Sequence, residues 1–189
     1  MFILPEIIET SGRNKKSFSI PTKLFEQDII TLFDEIDDDI AYAIISQLLY
    51  LDSIDTNDHV KLYINSPGGL VTSGLAIMDT IQAMRRKVDT IGIGQCASMG
   101  AILLITGTGT RKSLKNTSIM LHSISSGTAG TIHDQLVTLK EVERKQELMM
   151  KIIEESSNMS LDDAIKYTKR DMYLNPTEAI KFGLIDEII

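Results

Sequence analysis

The sequence has no tryptophan, few other aromatic residues and a single cysteine, Cys96, among its 189 residues. One cysteine cannot form a disulfide within the chain, which excludes the small disulfide-linked scaffolds of secreted proteins. The three histidines are dispersed, so a zinc site built from cysteine and histidine is excluded as well. We predict that this chain binds no metal and no cofactor, and we interpret Cys96 as a small core residue.

Positive charge is also scarce, since 19 lysine and arginine residues stand against 26 acidic residues and give a net charge of −7. Such a chain lacks the basic patch of a nucleic-acid binder, and we predict no nucleic-acid partner. The one basic triplet, Arg85-Arg86-Lys87, is interpreted as the solvated end of a helix.

Long hydrophobic runs are missing. Residues 90–110 carry no charge, but five glycines and four threonines make this segment too polar for a membrane helix. We predict a buried strand, a tight turn and a buried helix there. Residues 1–10 have neither the basic region nor the apolar stretch of a signal peptide. We therefore expect a cytoplasmic protein without a membrane partner.

Strands and helices alternate along the middle of the chain. VKLYI (60–64) has the alternation of a strand, NSPGG breaks it, and residues 70–84 have a helical pattern. A second strand (88–94) leads through QCASMG into an apolar helix, and a third strand (117–122) follows. This order predicts an α/β fold with a mostly parallel sheet or a spiral of βα units. No linker interrupts the chain, so we predict a single domain over residues 1–189.

Helix signals flank this core. The acidic cluster Asp34, Glu35, Asp37, Asp38 and Asp39 is interpreted as a helix start, because Ile40, Ile44 and Leu48 follow at helical spacing. Residues 131–158 contain no glycine or proline and predict a helix roughly 40 Å long. We expect it to project and pack on another subunit, with a kinked core helix as the alternative. Later, Ser160 and Thr177 are predicted to cap two short helices.

Ser98 is the first candidate for chemistry. It lies in GQCASMGA, where a predicted strand passes into an apolar helix, a position that stabilises developing negative charge. The segment is not a G-x-S-x-G motif, since Cys96 replaces the first glycine. Gly68 and Gly69 open another helix and can direct N–H groups at an oxyanion. A plain turn would need the same two glycines, so this alternative stays open.

His122 ends the third predicted strand and is the candidate base for Ser98. A carboxylate that orients the imidazole would complete the set. Residue patterns alone do not select one among the 26 acidic residues.

Four motifs in order carry a resemblance: YINSPGG, GQCASMGA, IMLH and KRDMYLNPTEAIKFGLID. The chain resembles the ClpP family, the proteolytic subunits of the ATP-dependent Clp protease. The resemblance implies a serine endopeptidase with Ser98 as nucleophile, His122 as base and Asp171 as the orienting carboxylate. It also implies an oxyanion hole formed by the N–H groups of Gly69 (or Gly68) and Met99.

The same resemblance implies a fold and partners. The expected fold is a ClpP/crotonase-like spiral of ββα units with a projecting handle region at about 123–158. Two heptameric rings would stack into a tetradecamer and enclose the sites that cleave unfolded proteins. A separate AAA+ unfoldase would use the ATP, because this chain has no G-x-x-x-x-G-K-[ST] motif. The axial segment 1–20, with Phe2, Ile3 and Leu4, would lie near the pore, and Tyr63 would lie in the unfoldase-docking cleft.

Two departures from the family pattern affect assembly. Ser123-Ile124 stands where the family usually has Gln-Pro, and Lys169 precedes Arg170 where the family has an acidic residue. Adjacent like charges are unfavourable, so we expect a weak or conditional double ring, and a second, different ClpP-type subunit is one way to complete it. The chain is then either an active peptidase or a weakly active subunit of a mixed ring that docks the unfoldase.

Two further alternatives remain at this stage. A crotonase-type acyl-CoA enzyme would use the paired amides but would have no use for the Ser-His-Asp set. A purely structural protein would leave Ser98 and the glycine turns without a role.

Overall fold

The computed structural model describes residues 4–11 and 14–189. Its strands are β1 (Glu6–Ser11), β2 (Asn14–Ser19), β3 (Ile29–Leu32), β4 (Val60–Ser66), β5 (Val88–Ala97), β6 (Arg111–Ser113), β7 (Ser118–Leu121), β8 (Met172–Leu174) and β9 (Glu187–Ile188). Its helices are α1 (Ile20–Phe25), α2 (Asp38–Ser53), α3 (Val71–Ala83), α4 (Met99–Ile105), α5 (Ile132–Glu155), α6 (Leu161–Thr168) and α7 (Pro176–Lys181).

The main sheet is parallel over the order β3-β4-β5-β6-β9. β7 pairs in parallel with β5, and β8 pairs antiparallel with β7. β1 and β2 form a separate antiparallel hairpin near the N-terminus. The predicted α/β fold with a mostly parallel sheet is confirmed. The helix that follows β5, α4, packs on β4 and β5, and the helix that follows β4, α3, packs on α2 and α4.

β5 changes partner halfway along its length. Ile64 of β4 pairs with Gly92, but Ser66 pairs with Cys96, so β5 contains extra residues between the two pairs. Gly94 lies in this irregularity with a φ of 65°, which favours glycine. The first half of β5 pairs with β6 and the second half with β7. The bend therefore directs the end of β5 toward the end of β7.

Local signals explain two helices. The side chain of Asp37 accepts a hydrogen bond from the N–H of Ile40 at 2.8 Å and caps α2. The predicted apolar stripe of α2 is buried at Ile44 and Leu48. Every residue of α4 is buried, which confirms the predicted strand, turn and helix over residues 90–110. Across residues 4–11 and 14–189, no helix combines the length and apolar character that a membrane crossing requires.

α5 is the predicted handle helix, with 24 residues and a capping box between Thr131 and Asp134. Its N-terminal part is exposed even at apolar positions, since Ile132 is 74% and Leu136 53% exposed. Only its C-terminal part enters the core, through Met149, Met150, Ile152 and Ile153. The predicted long helix is confirmed, and its N-terminal part is exposed as a projecting helix would be; its packing on another subunit stays a prediction.

Two predictions from the sequence are wrong. Arg86 is not solvated but only 4% exposed, because its side chain donates to the carbonyl oxygens of Leu51 and Asp58 and pairs with Asp28. Helix α7 is capped by Asn175 rather than Thr177: Asn175 and Glu178 form a capping box, and Pro176 occupies the first turn. The predicted cap of α6 at Ser160 is confirmed.

Candidate active site

Ser98 occupies the junction between β5 and α4. Its backbone has φ 53° and ψ −124°, a conformation that residues other than glycine rarely adopt. Its N–H donates to the carbonyl oxygen of Met120 at 2.8 Å, which ties the junction to β7. A sharp strand-to-helix turn of this kind presents a serine hydroxyl at the end of a sheet. The tertiary structure therefore produces this turn without the G-x-S-x-G motif.

His122 follows directly after β7. Because Ala97 and Met120 are paired in the parallel β5–β7 ladder, Ser98 and His122 both lie at the carboxyl ends of neighbouring strands. The Nε2 atom of His122 lies 2.8 Å from the Oγ atom of Ser98. This is a normal hydrogen-bond distance between a nucleophile and its base.

Asp171 lies next to His122 through the neighbouring strand β8. Leu121 pairs with Met172 in the antiparallel β7–β8 ladder, so the residues beside them, His122 and Asp171, also face each other. The Oδ1 atom of Asp171 lies 3.8 Å from Nδ1 of His122, which is beyond hydrogen-bond distance. The carboxylate is 56% exposed, whereas the imidazole is 25% exposed.

Gly68 and Gly69 form the turn between β4 and α3. Their φ angles are 98° and 149°, in the region that favours glycine. A Cβ atom at Gly68 would lie 2.6 Å from the Cβ of Ser98 and 3.0 Å from the backbone nitrogen of Met99. The glycine turn thus lies directly against the Ser98 junction.

The two glycine amides differ in their hydrogen bonds. The N–H of Gly68 donates to the Oγ atom of Ser66 at 3.1 Å. Ile36 forms two backbone hydrogen bonds of 2.7 Å with the residues on either side of Gly69. The N–H of Ile36 donates to the oxygen of Gly68, and the N–H of Leu70 donates to the oxygen of Ile36. The hydrogen bonds of the described residues leave the N–H groups of Gly69 and Met99 unused. Gly69 and Met99 line the same cleft as Ser98.

A family model described as Clp protease matches residues 12–189. This chain belongs to the Clp protease family. Membership confirms the resemblance drawn from the four sequence motifs and implies a peptidase, a hydrolase of peptide bonds. It also implies ring assembly together with Clp unfoldases, as is general in the family.

A cleft of about 170 Å³ opens beside Ser98 and His122. Apart from these two residues, Gly69 and Ser125, its lining is apolar: Val71, Met99, Ile102, Leu121, Ile124, Met149 and Ile153. Met149 and Ile153 come from the buried end of α5, so the handle helix of this Clp family member also forms part of the cleft. The sequence shows that Met149 and Ile153 are apolar residues of a helix. Only the packing of α5 on α4 places them beside Ser98.

Other reactive side chains of this Clp family member lie outside the Ser98–His122 pair. His59 precedes β4, at the opposite end of that strand from the glycine turn, and its Nδ1 atom lies 2.8 Å from Oδ1 of Asp89. Cys96 is buried, its Sγ donates to the oxygen of Ile64, and burial raises the pKa of its thiol to about 12. Among the described residues, no group of three or more histidine, cysteine or acidic side chains is arranged to hold a metal ion.

The residues expected at assembly surfaces lie as follows. Tyr63 is half-buried in β4, paired with Thr31 and Ile91 of the neighbouring strands. Leu4 is 46% exposed, while Phe2 and Ile3 lie outside the described residues. Lys169 and Arg170 are both exposed directly before Asp171.

Ser66 was missed by the sequence analysis. Its Oγ atom donates to the oxygen of Asp34 at 2.6 Å and accepts from the N–H of Gly68. This buried hydroxyl therefore orients the glycine turn. A serine between an alternating strand and Pro-Gly-Gly carries no signal of its own, so only the tertiary contact with Asp34 reveals its role.

Proposed function

We propose that this chain is the serine endopeptidase subunit of an ATP-dependent Clp protease and cleaves unfolded polypeptides inside a ring-shaped chamber. The observation that carries the proposal is the 2.8 Å contact between Ser98 Oγ and His122 Nε2. Membership of the Clp protease family supplies the reaction class, hydrolysis of peptide bonds. The family match also favours a peptidase over the acyl-CoA enzyme considered from the sequence.

The reaction follows acyl-transfer chemistry. Ser98 Oγ attacks the peptide carbonyl carbon while His122 Nε2 takes the hydroxyl proton. The carbonyl oxygen becomes an oxyanion that accepts hydrogen bonds from the N–H groups of Gly69 and Met99. His122 returns the proton to the leaving amine, and the acyl-enzyme remains. Water then attacks the ester carbonyl carbon while His122 takes its proton. Collapse of this second tetrahedral intermediate releases the carboxylate product, and His122 returns the proton to Ser98 Oγ.

Gly69 is preferred over Gly68 as the second oxyanion donor. The N–H of Gly68 already donates to Ser66, so using it would break a hydrogen bond inside a buried turn. The N–H of Gly69 carries no such cost. Gly68 then acts by its small size, since it permits the close approach of the turn to Ser98 and Met99.

The cleft beside Ser98 is the proposed pocket for the substrate side chain that precedes the cleaved bond. Its apolar lining favours an aliphatic side chain over a charged one. Burying a leucine-sized side chain contributes roughly 1.5–3 kcal/mol. Interactions with this pocket would therefore contribute to substrate selection.

Assembly is proposed to complete the site. Asp171 faces His122 but does not reach hydrogen-bond distance, and its carboxylate is more than half exposed. The exposed apolar residues of α5, among them Ile132 and Leu136, are suited to contact a second ring. Stacking of two heptameric rings into a tetradecamer would cover this region and draw Asp171 toward the imidazole.

The proposed partners outside the ring are an AAA+ Clp unfoldase and its unfolded substrates. The unfoldase would use ATP, and the surface around Tyr63 would receive one of its loops. The N-terminal segment, residues 1–20, would line the axial pore. The proposed location is the cytoplasm.

A second candidate function is a weakly active subunit that forms a mixed ring with another ClpP-type subunit and docks the unfoldase. The 3.8 Å gap between His122 and Asp171 favours it, as do the two exposed cations that precede Asp171. Measurement of the particle mass distinguishes the two candidate functions. A stable homo-tetradecamer at low protein concentration would rule out the mixed ring, whereas tetradecamers found only after addition of a second ClpP-type subunit would support it.

The test of the main proposal uses a fluorophosphonate and intact mass. One adduct on the unmodified chain, absent from Ser98→Ala, is the expected result. Cys96→Ser is a matched control two residues away, and it should keep the adduct because the Cys96 thiol is buried and protonated. Persistence of the adduct in Ser98→Ala would contradict the assignment of the nucleophile.

A further inference from the structure

The two residues after His122 are held to two different helices. Ser123 is bound to the end of α6: its N–H donates to the oxygen of Thr168 at 2.8 Å and its Oγ donates to the same oxygen at 3.0 Å. Thr168 is fully buried and its hydroxyl donates to Ala164 within α6. Ser123 is therefore held by hydrogen bonds to a buried residue at the end of α6.

Ile124 is bound to the handle helix instead. Its N–H donates to the Oε1 atom of Gln146 on α5 at 2.7 Å. The Nε2 atom of the same Gln146 lies 3.5 Å from the Oγ of Ser123, a weaker contact. One half-buried glutamine therefore contacts both residues that follow His122.

Ile124 also connects this bond to the substrate cleft. Its side chain lines the cleft together with His122 and Ser98. Beyond it, residues 125–131 are exposed in the structure and offer little support from that side. The position of Ile124 in the cleft wall therefore depends on the bond from its backbone to Gln146.

We propose that Gln146 is a positioning residue, which holds the Ser123-Ile124 segment so that His122 stays aligned with Ser98 and Ile124 stays in the cleft wall. This inference rests on the proposed peptidase function. Gln146 touches neither Ser98 nor His122 and acts only through the backbone that follows His122. The N-terminal part of α5 carries the exposed apolar residues Ile132 and Leu136. Gln146 therefore connects the helix that is proposed to contact a second ring with the segment that follows His122.

The test compares two substitutions of the same residue. Gln146→Leu keeps the size but removes the acceptor, leaving the half-buried N–H of Ile124 without its partner. Gln146→Glu keeps an acceptor oxygen at the same position. Gln27→Leu is the matched control, since Gln27 is exposed in the turn between α1 and β3.

The measurements are peptide hydrolysis, fluorophosphonate labelling rate and hydrogen exchange in peptides that cover residues 122–126. For Gln146→Leu we expect kcat to fall about 10- to 100-fold with a smaller change in KM, as misplacement of a catalytic group does. We also expect faster exchange of the Ile124 amide. Gln146→Glu and Gln27→Leu should stay within about threefold of the unsubstituted protein in kcat.

Each failure has a distinct signature. Unchanged kcat in Gln146→Leu, with an active parent protein, would overturn the inference. Equal losses in Gln146→Leu and Gln146→Glu would do the same, because the acceptor would then be irrelevant. If the parent protein is not labelled at all, the proposed function fails. In that case, unchanged exchange at Ile124 in Gln146→Leu would separately overturn the positioning role.

Discussion

His122 and Asp171 face each other at the ends of β7 and β8, but 3.8 Å separates Nδ1 of the imidazole from Oδ1 of the carboxylate. On its other side, the same imidazole lies 2.8 Å from the hydroxyl of Ser98. The proposed nucleophile and base are thus in contact, while Asp171 is in register with His122 but makes no hydrogen bond to it. This relationship is the basis of the proposal that assembly completes the site.

Asp171→Asn tests that proposal. In the unassembled chain we expect less than about a tenfold loss of labelling rate, because no hydrogen bond to His122 is present to remove. In the assembled ring the same substitution should cost about 10⁴-fold, the size of effect seen when an orienting aspartate is replaced. Labelling of fractions separated by size exclusion measures both values. Asp162→Asn, at the exposed start of α6, is the control, and a 10⁴-fold loss in the unassembled chain would contradict the assembly model.

Gly68→Ala tests the glycine turn. The new Cβ would lie 2.6 Å from the Cβ of Ser98, and the φ of 98° is unfavourable for alanine. We expect kcat to fall about 100-fold or more as the oxyanion donors shift, with a loss of about 1–3 kcal/mol in the free energy of unfolding. Gly127→Ala is the control, since no heavy atom lies within 4 Å of a Cβ there. Equal activity of the two variants would remove the turn from the mechanism.

The apolar cleft predicts a preference among substrates. Peptides with leucine or methionine before the cleaved bond should have kcat/KM values about 10- to 100-fold higher than the matching aspartate peptide. The reason is that burial of a side chain of this size contributes about 1.5–3 kcal/mol. A series of fluorogenic peptides that differ at this position measures the ratio. Comparable rates for leucine and aspartate would show that the side chain does not enter the cleft.

Substitution of Arg86 and of the neighbouring Arg85 should affect stability by very different amounts. Arg86→Met leaves buried carbonyl oxygens and Asp28 without their cation and should lower the free energy of unfolding by about 3–5 kcal/mol. The side chain of Arg85 is 69% exposed, and Arg85→Met should change that free energy by less than about 1 kcal/mol. Urea unfolding of both variants is the measurement. Similar losses in the two would contradict the burial of Arg86.

The raised pKa of the Cys96 thiol predicts that the stability of the folded protein depends on pH. Burial raises its pKa from 9.0 to about 12, because a thiolate is costly in an apolar site. The folded state therefore binds the proton more tightly, so this contribution to stability is fully present below pH 9 and is lost as the pH rises toward 12. Iodoacetamide at pH 8 should modify Cys96 only in denaturant, as mass spectrometry can show. Rapid alkylation of the folded protein would contradict this burial.

Much of the fold follows from local sequence signals. Alternation predicted β4, β5 and β7 to within a few residues, and Asp37 and Ser160 mark helix starts that the structure retains. The burial of Arg86 and the cap at Asn175 were not predicted. A basic triplet is usually exposed. Only the carbonyl oxygens of Leu51, in the last turn of α2, and of Asp58, in the segment that follows it, make an arginine favourable in the core.

The candidate site divides in the same way. The sequence by itself determined which residue types stand at strand ends, including Ser98, His122 and the two glycines, because strand ends and glycine turns are local features. Only the tertiary structure decided the distances: Ser98 meets His122, Asp171 stops 3.8 Å away, and Gln146 reaches the backbone after His122. Those distances join residues more than 20 positions apart. They depend on the bend in β5, on strand register and on helix packing, and no local pattern encodes these.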